Sequence, residues 1–318
     1  MVEKLGADLH AKSVIRFTWW GNAMVGVESV DRSIVIDPWI SPEGGNFQYV
    51  FCTHEHHAHA DPEAVENLSR NPNFRRMFIA RSTLYPSNNP SARCLSFLSE
   101  PQWLIDRYVI VYPKHYDHSI PRGAEGDTAL LAGTGRLAPS DEIAAGDYAA
   151  ENGTPRPFGG VDELWVDGWH VECMEMLGGD AEVPYLVRGA MPQLGFFIED
   201  LVSGVSLYHM GATRRTYPEM AAIRGRVDIL FLPIGKMSLE DEAEALRLTN
   251  PKCIIPIGWR DDADHRPIPR SGPGGGETDK FDSESPSDPK KHIDQLTDLA
   301  KTMGIQVITL KAGVAYQV

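Results

Sequence analysis

Four histidines stand within six residues in the segment Phe51-Cys52-Thr53-His54-Glu55-His56-His57-Ala58-His59-Ala60-Asp61. Neutral imidazole is a ligand for zinc, iron, copper and nickel. The segment leaves an apolar, strand-like run and enters a helix-start signal. Side chains alternate along an extended backbone, so His54 and His56 face the same way. His57 then points elsewhere, as a bystander or a donor to a ligand, and His59 returns after a turn. Two same-side imidazoles with a third nearby form half of a metal site. The competing reading is a polar loop that is histidine-rich by chance. Four such residues directly after an apolar strand favour the metal. Asp61 reads as the helix cap, because Asp caps well and Pro62 suits the first helical position.

These histidines need a frame. Val14–Trp20, Met24–Val30, Ser33–Asp37 and Tyr49–Thr53 are short β-rich runs separated by Gly, Asn and Pro. Strand patterns return at Trp169–Leu177, Gly195–Glu199, Val205–His209, Asp228–Pro233, Cys253–Ile257 and Val307–Leu310. Helices are expected from Asp61, over Pro218–Arg224, over Ser238–Leu248 with Ser238 as cap, and over Asp288–Met303 with Asp288 as cap. Strands in two groups, each followed by helices, point to a layered α/β protein. Residues 95–160 are too long for a plain loop and read as an insertion or lid, with Ile105–Tyr112 extended. Residues 260–289, rich in Pro, Gly, Ser and charge, read as a flexible loop.

The histidine segment resembles the Thr-His-x-His-x-Asp-His motif of the metallo-β-lactamase fold. Trp20-Gly21-Asn22-Ala23 and Ile36-Asp37-Pro38-Trp39-Ile40 resemble the opening strands of its L-ascorbate-6-phosphate lactonase-like branch. Tyr208-His209-Met210-Gly211-Ala212-Thr213 resembles that branch's Gly-Asp-Thr segment, and Leu232-Pro233-Ile234-Gly235 and Ile255-Pro256-Ile257-Gly258 follow in matching order. The resemblance implies an α/β fold of the αββα sandwich type, here one domain over 1–318 with an insertion. It also implies seven metal-ligand positions. His54, His56 and His59 match, whereas Ala58, Gly178, Ala212 and Gly258 stand where a ligand is expected. Both aspartates are gone. Two divalent ions about 3.5 Å apart repel by roughly 19 kcal/mol at an effective dielectric of about 20. Bridging anions normally offset that repulsion, so a close metal pair is not expected here.

Three outcomes follow. One divalent ion, zinc or iron, sits on His54, His56 and His59 and serves hydrolysis of a small lactone, amide or ester. Three neutral ligands leave the ion its full charge, which can bring the pKa of water to about 7. Asp180 or Asp261 would complete that site or take the proton, with Glu182, Asp262 and Asp117 as further candidates. Alternatively the ion is redox-active and serves a non-hydrolytic redox or rearrangement step of secondary metabolism. In the third outcome no metal binds, and the chain is a binding protein or pseudoenzyme. The first makes the chain a hydrolase-like enzyme. Arg260, Trp259, His115 and His118 are the candidate substrate-binding residues, with Arg266 and Arg270 in the same charged loop.

Composition narrows the partners. Thirty Lys and Arg against 44 Asp and Glu give a net charge of −14, which argues against a nucleic-acid binder. No apolar run is long enough to span a bilayer, and the first residues lack an apolar signal core. The four cysteines, Cys52, Cys94, Cys173 and Cys253, fit neither a disulfide framework nor a CxxC site and read as thiols of a reducing cytoplasm. The expected partner is a small-molecule substrate, with a homo-oligomer left open.

Overall fold

The computed structural model describes residues 2–4, 13–42, 45–54, 58–80, 83, 107–111, 113–114, 153–155, 161–176, 193–259 and 288–318. Its strands are β1 (Val2–Lys4), β2 (Ile15–Trp19), β3 (Val25–Ser29), β4 (Arg32–Ile36), β5 (Tyr49–Cys52), β6 (Arg76–Ala80), β7 (Tyr108–Val111) and β8 (Gly153–Pro155). They continue as β9 (Val161–Val166), β10 (Trp169–Met176), β11 (Gln193–Asp200), β12 (Ser206–His209), β13 (Ile229–Pro233), β14 (Cys253–Ile257), β15 (Gln306–Val307) and β16 (Ala315–Gln317). The helices are α1 (Pro62–Ser69), α2 (Leu239–Thr249) and α3 (Pro289–Thr302).

The strands form one ladder in the order β1-β16-β2-β3-β4-β5-β6-β7-β9-β10-β11-β12-β13-β14-β15. Two sheets were expected; here they are joined through one residue pair, Val111 with Val161. Each half runs antiparallel and then parallel: β2-β3-β4 then β5-β6, and β10-β11-β12 then β13-β14. The halves face each other. Phe17 meets Phe231 at 6.2 Å, Phe51 meets Phe196 at 5.2 Å and Trp19 meets Trp259 at 4.8 Å between ring centroids. Fully burying each such ring stabilises by roughly 1.5–3 kcal/mol. Val65 and Leu68 of α1 cover the outer face of the first half, against Val50, Cys52, Met77 and Ile79. Ala245 and Leu246 of α2 and Leu296 of α3 belong to the second half's core. This is the αββα arrangement. It explains why the parallel strands β5, β13 and β14 are buried throughout: both faces are covered.

The helix starts fall where the caps predicted. Asp61 accepts from the backbone N–H groups of Glu63 and Ala64, Ser238 from that of Asp241, and Asp288 from that of Lys291. Three expectations change. Pro218–Ile223 is a 3₁₀ helix, whose start at Tyr217 has no side-chain cap bond. The last expected strand shortens to Gln306–Val307, and Ala315–Gln317 instead adds to β2. Arg76–Ala80 pairs between β5 and β7 as a strand the sequence patterns had not marked. Cys52, Cys173 and Cys253 are buried free thiols. Among the described residues, no helix is long and apolar enough to cross a membrane. The proposed lid at 95–160 falls largely outside the described residues, apart from 107–111, 113–114 and 153–155, and the 260–289 loop apart from its last two residues.

One half-buried histidine–glutamate pair gives the fold a pH signature. His292 of α3 donates from Nε2 to Glu242 of α2 at 2.8 Å. That bond raises the His292 pKa above its ordinary 6.5, against the effect of burial. Burial raises the Glu242 carboxyl, with the His292 bond opposing it. A histidine with a raised folded pKa stabilises below its ordinary value, and the gain is lost as pH rises through the folded value. The stability difference between the wild type and Glu242→Gln should therefore fall as pH rises above about 6.5. Urea unfolding at a series of pH values reads this; a constant difference would exclude the linkage.

Candidate metal centre

His54 and His59 lie at the C-terminal ends of parallel strands, the usual ligand-binding edge of an open α/β sheet. His54 follows β5, His59 precedes α1, and Asp37 follows β4 with a left-handed backbone at φ 52°. The imidazoles of His54 and His59 lie 4.1 Å apart between ring centroids, and both residues are buried. One carboxylate organises both. Asp37 is fully buried and accepts from the Thr53 N–H at 2.8 Å, from Thr53 Oγ1 at 2.8 Å and from His59 Nδ1 at 2.6 Å. Thr53 Oγ1 spends its proton on Asp37, so at 2.9 Å it accepts from His54 Nδ1. The chain of donors fixes both tautomers, with the proton on Nδ1 and the lone pair on Nε2. Tying one ring nitrogen to a carboxylate or its relay is how proteins orient metal-ligating histidines.

A third imidazole supports the frame from beneath. His209, at the end of β12, donates from Nε2 to the Ala23 carbonyl at 2.7 Å, and its Nδ1 accepts from the Gly211 N–H at 3.2 Å. It thereby ties the β2–β3 turn to the loop carrying Gly211 and Ala212. Burial lowers the pKa of His209 against the pull of Asp37, consistent with a neutral ring. Burial also pushes the Asp37 carboxyl up to about 7, opposed by His209 and by the two Thr53 bonds. A cation at His59 would favour the charged carboxylate.

His59 shares a narrow cleft with Ala58, Gly211, Ala212 and Gly258, closed by Asn22, Ala23, Pro233 and Lys236. Trp259 sits beside it, but its ring packs on Trp19 and its Nε1 donates to the Pro256 carbonyl at 3.1 Å. Asp61 is the cap of α1, as expected. His56, His115, His118, Asp180, Arg260 and Asp261 lie outside the described residues, as do Asp117, Glu182, Asp262, Arg266 and Arg270. The sequence reading gave Asp37 and His209 no role. The signal for Asp37 was a lone carboxylate ending an apolar strand.

A sequence profile of the β-lactamase superfamily domain matches residues 16–258. The chain belongs to this superfamily. No curated protein matches it in sequence. Among solved structures, Igni18, a metallo hydrolase from the hyperthermophilic archaeon Ignicoccus hospitalis, is 16% identical with a TM-score of 0.53, over 96% of this chain and 99% of that one. CmlA, a diiron β-hydroxylase from Streptomyces venezuelae, is 12% identical with a TM-score of 0.54, over 100% of this chain and 54% of that one. At such identities the likeness shows the fold.

Among the described residues, the ligand side chains at this edge are imidazoles rather than bridging carboxylates. His54 and His59 present oriented imidazoles. Ala58, Ala212 and Gly258 converge on the same cleft and offer no side-chain donor. A second convergence of possible ligand atoms, Glu163, His170 and Glu172, lies on β9 and β10. His170 is six residues along β10 from Met176, about 20 Å from the site edge. That cluster already holds its cations. Lys114 Nζ is 3.3 Å from Glu163 and 2.6 Å from Glu172, and Arg226 is 2.6 Å from Glu172. His170 spans Glu163 at 2.8 Å and Glu199 at 2.5 Å. Burial alone would raise the Glu172 carboxyl, but the bonds from Lys114 and Arg226 carry it below its ordinary value. A metal would have to displace two fixed cations, so we read the cluster as an ion-pair network.

Proposed function

We propose that the chain is a hydrolase of small lactones, esters or amides that works with one divalent ion on His54, His56 and His59. The observation that carries this reading is the donor chain from both described rings to Asp37, which orients imidazoles without adding a ligand charge. A divalent ion held there supplies Lewis acidity, polarising a carbonyl and making water more acidic. The chain's own residues do the rest. Asp37 and Thr53 hold the rings, His209 fixes the Gly211–Ala212 loop, and Trp259 packs the wall with Trp19. Asp180 or Asp261 is proposed as the proton acceptor. The lactonase-like branch, whose opening strands the sequence resembles, makes a lactone the first substrate to try.

The test is turnover of a lactone, a nitrophenyl ester and an anilide by the purified chain. The expected result is hydrolysis of one of them that a chelator abolishes and zinc restores, with kcat/KM at least about a hundredfold lower in His54→Ala. The fold likeness to a diiron β-hydroxylase supports a second reading, an oxidative reaction on iron. Oxygen uptake restored by ferrous iron, with no hydrolysis by the zinc form, would favour that reading instead. Failure of both metals to bind would leave a metal-free binding protein.

A further inference from the structure

We propose that the chain pairs with a second copy of itself through the end of the fold away from the histidines, with the Val30–Asp31 turn of each copy seated in a groove of the other. The proposal stands apart from the hydrolase reading. β4 separates the two ends: Arg32 opens it at the turn, and Asp37 follows it at the histidines. Its five residues span about 17 Å, so pairing at the turn leaves the His59 cleft uncovered.

Among the described residues, the exposed large apolar side chains are Val14, Val30, Trp165, Leu201 and Val202. Single ones are ordinary on any surface, but these are not scattered. Val14 precedes β2, Val30 occupies the β3–β4 turn, Leu201 and Val202 the β11–β12 turn, and Trp165 lies near the end of β9. Ser29 Oγ and the Arg32 guanidinium both donate to Asp200, at 2.5 Å and 2.7 Å, which draws the β3–β4 and β11–β12 turns together. The Leu201 N–H donates to the Gly168 carbonyl at 2.9 Å, which adds the β9–β10 turn. The apolar platform is thus rigid before a partner arrives, which lowers the entropic cost of binding. Val30 is its most exposed member, at 78%, and its backbone is left-handed at φ 45°. A β-branched residue is an outlier there, and asparagine or glycine would remove both the strain and the exposed apolar surface. A strained residue that is also the most exposed points to use rather than packing.

Shape and charge name the occupant. Beside the turn lies a groove of about 440 Å³, lined in part by Val14, Val30, Arg16 and Glu28. Arg16 and Glu28 stand directly opposite each other on β2 and β3, both exposed, and neither has an ion-pair partner among the described residues. The charges at this end are of mixed sign, whereas the chain as a whole carries −14. Two such acidic chains repel in general, so a mixed face is where they can meet, and it offers no strong field to a highly charged partner of another kind. The protruding turn and the groove are neighbours on one face, which makes that face self-complementary. Under a twofold axis Arg16 meets the second copy's Glu28, and the same contact repeats in reverse.

The test is sedimentation velocity of the full chain over about 1–200 µM. The expected result is a monomer–dimer equilibrium within that range. Val30→Asn, which suits a left-handed backbone, should weaken pairing at least about tenfold, with no fall in the melting temperature of the dilute monomer. Leu201→Glu should weaken it likewise. Arg16→Glu should also weaken it, and adding Glu28→Arg to that variant should restore it to within about threefold of the wild type. A wild-type chain that stays monomeric throughout, or pairing unchanged in both Val30→Asn and Leu201→Glu, would overturn the interface. A double exchange that fails to restore pairing, or an open-ended series of larger species, would overturn the twofold arrangement. Association is read without metal or turnover, so a failed hydrolysis assay and a failed sedimentation test are separate results.

Discussion

Asp37→Ala should weaken metal binding by about 10–100-fold, the usual cost of losing a group that orients a ligating histidine. The effect is at the upper end because one carboxylate serves two rings. Without it, His59 Nδ1 and the Thr53 N–H lose their acceptor, and Thr53 Oγ1 no longer relays an orientation to His54. Stability should also fall, by about 2–4 kcal/mol, because buried donors are orphaned at about 1–3 kcal/mol each. Relief from burying a charge offsets part of that loss. Asp37→Asn separates the two effects. An amide can donate to His59 Nδ1 and so drive the imidazole proton onto Nε2, the nitrogen needed for the metal. It should keep most of the stability and lose most of the affinity. Thr53→Val should disturb His54 alone. Chelator competition with thermal melting checks all three; metal affinity unchanged in Asp37→Asn would refute the tautomer argument.

Phe51→Ala should cost about 3–5 kcal/mol of folding stability, the range for truncating a buried phenylalanine. Phe51 is fully buried in β5, stacks on Phe78 at 4.9 Å and meets Phe196 of the opposing half edge-on at 5.2 Å. It therefore joins the two halves of the ladder three residues before the first histidine. Phe51→Leu, which keeps most of the volume, should cost under about 1.5 kcal/mol. Urea denaturation measures both. Equal losses in the two variants would show that volume at this position does not hold the halves together.

The sequence announced those parts of the fold whose signals are local. Asp61-Pro62, Ser238 and Asp288-Pro289 each carry their own cap chemistry, and the helices start there. The buried strands β13 and β14 are unbroken apolar runs and fall where expected. What depends on distant partners was hidden. Arg76–Ala80 becomes a strand through β5 and β7, and Ala315–Gln317 through β2 and the amino-terminal β1. Within the site, the histidines were legible from their spacing. Asp37 was not, because it sits 22 residues before His59 and meets it only when β4 and β5 pair.

The most direct measurement is the metal content of the purified chain after saturation with zinc and desalting, alongside His54→Ala and His59→Ala. Histidines oriented by Asp37, with His59 lining the cleft of Ala58, Ala212 and Gly258, predict about one ion per wild-type chain and far less in either variant. Two ions per wild-type chain, or one ion retained in both variants, would contradict the account.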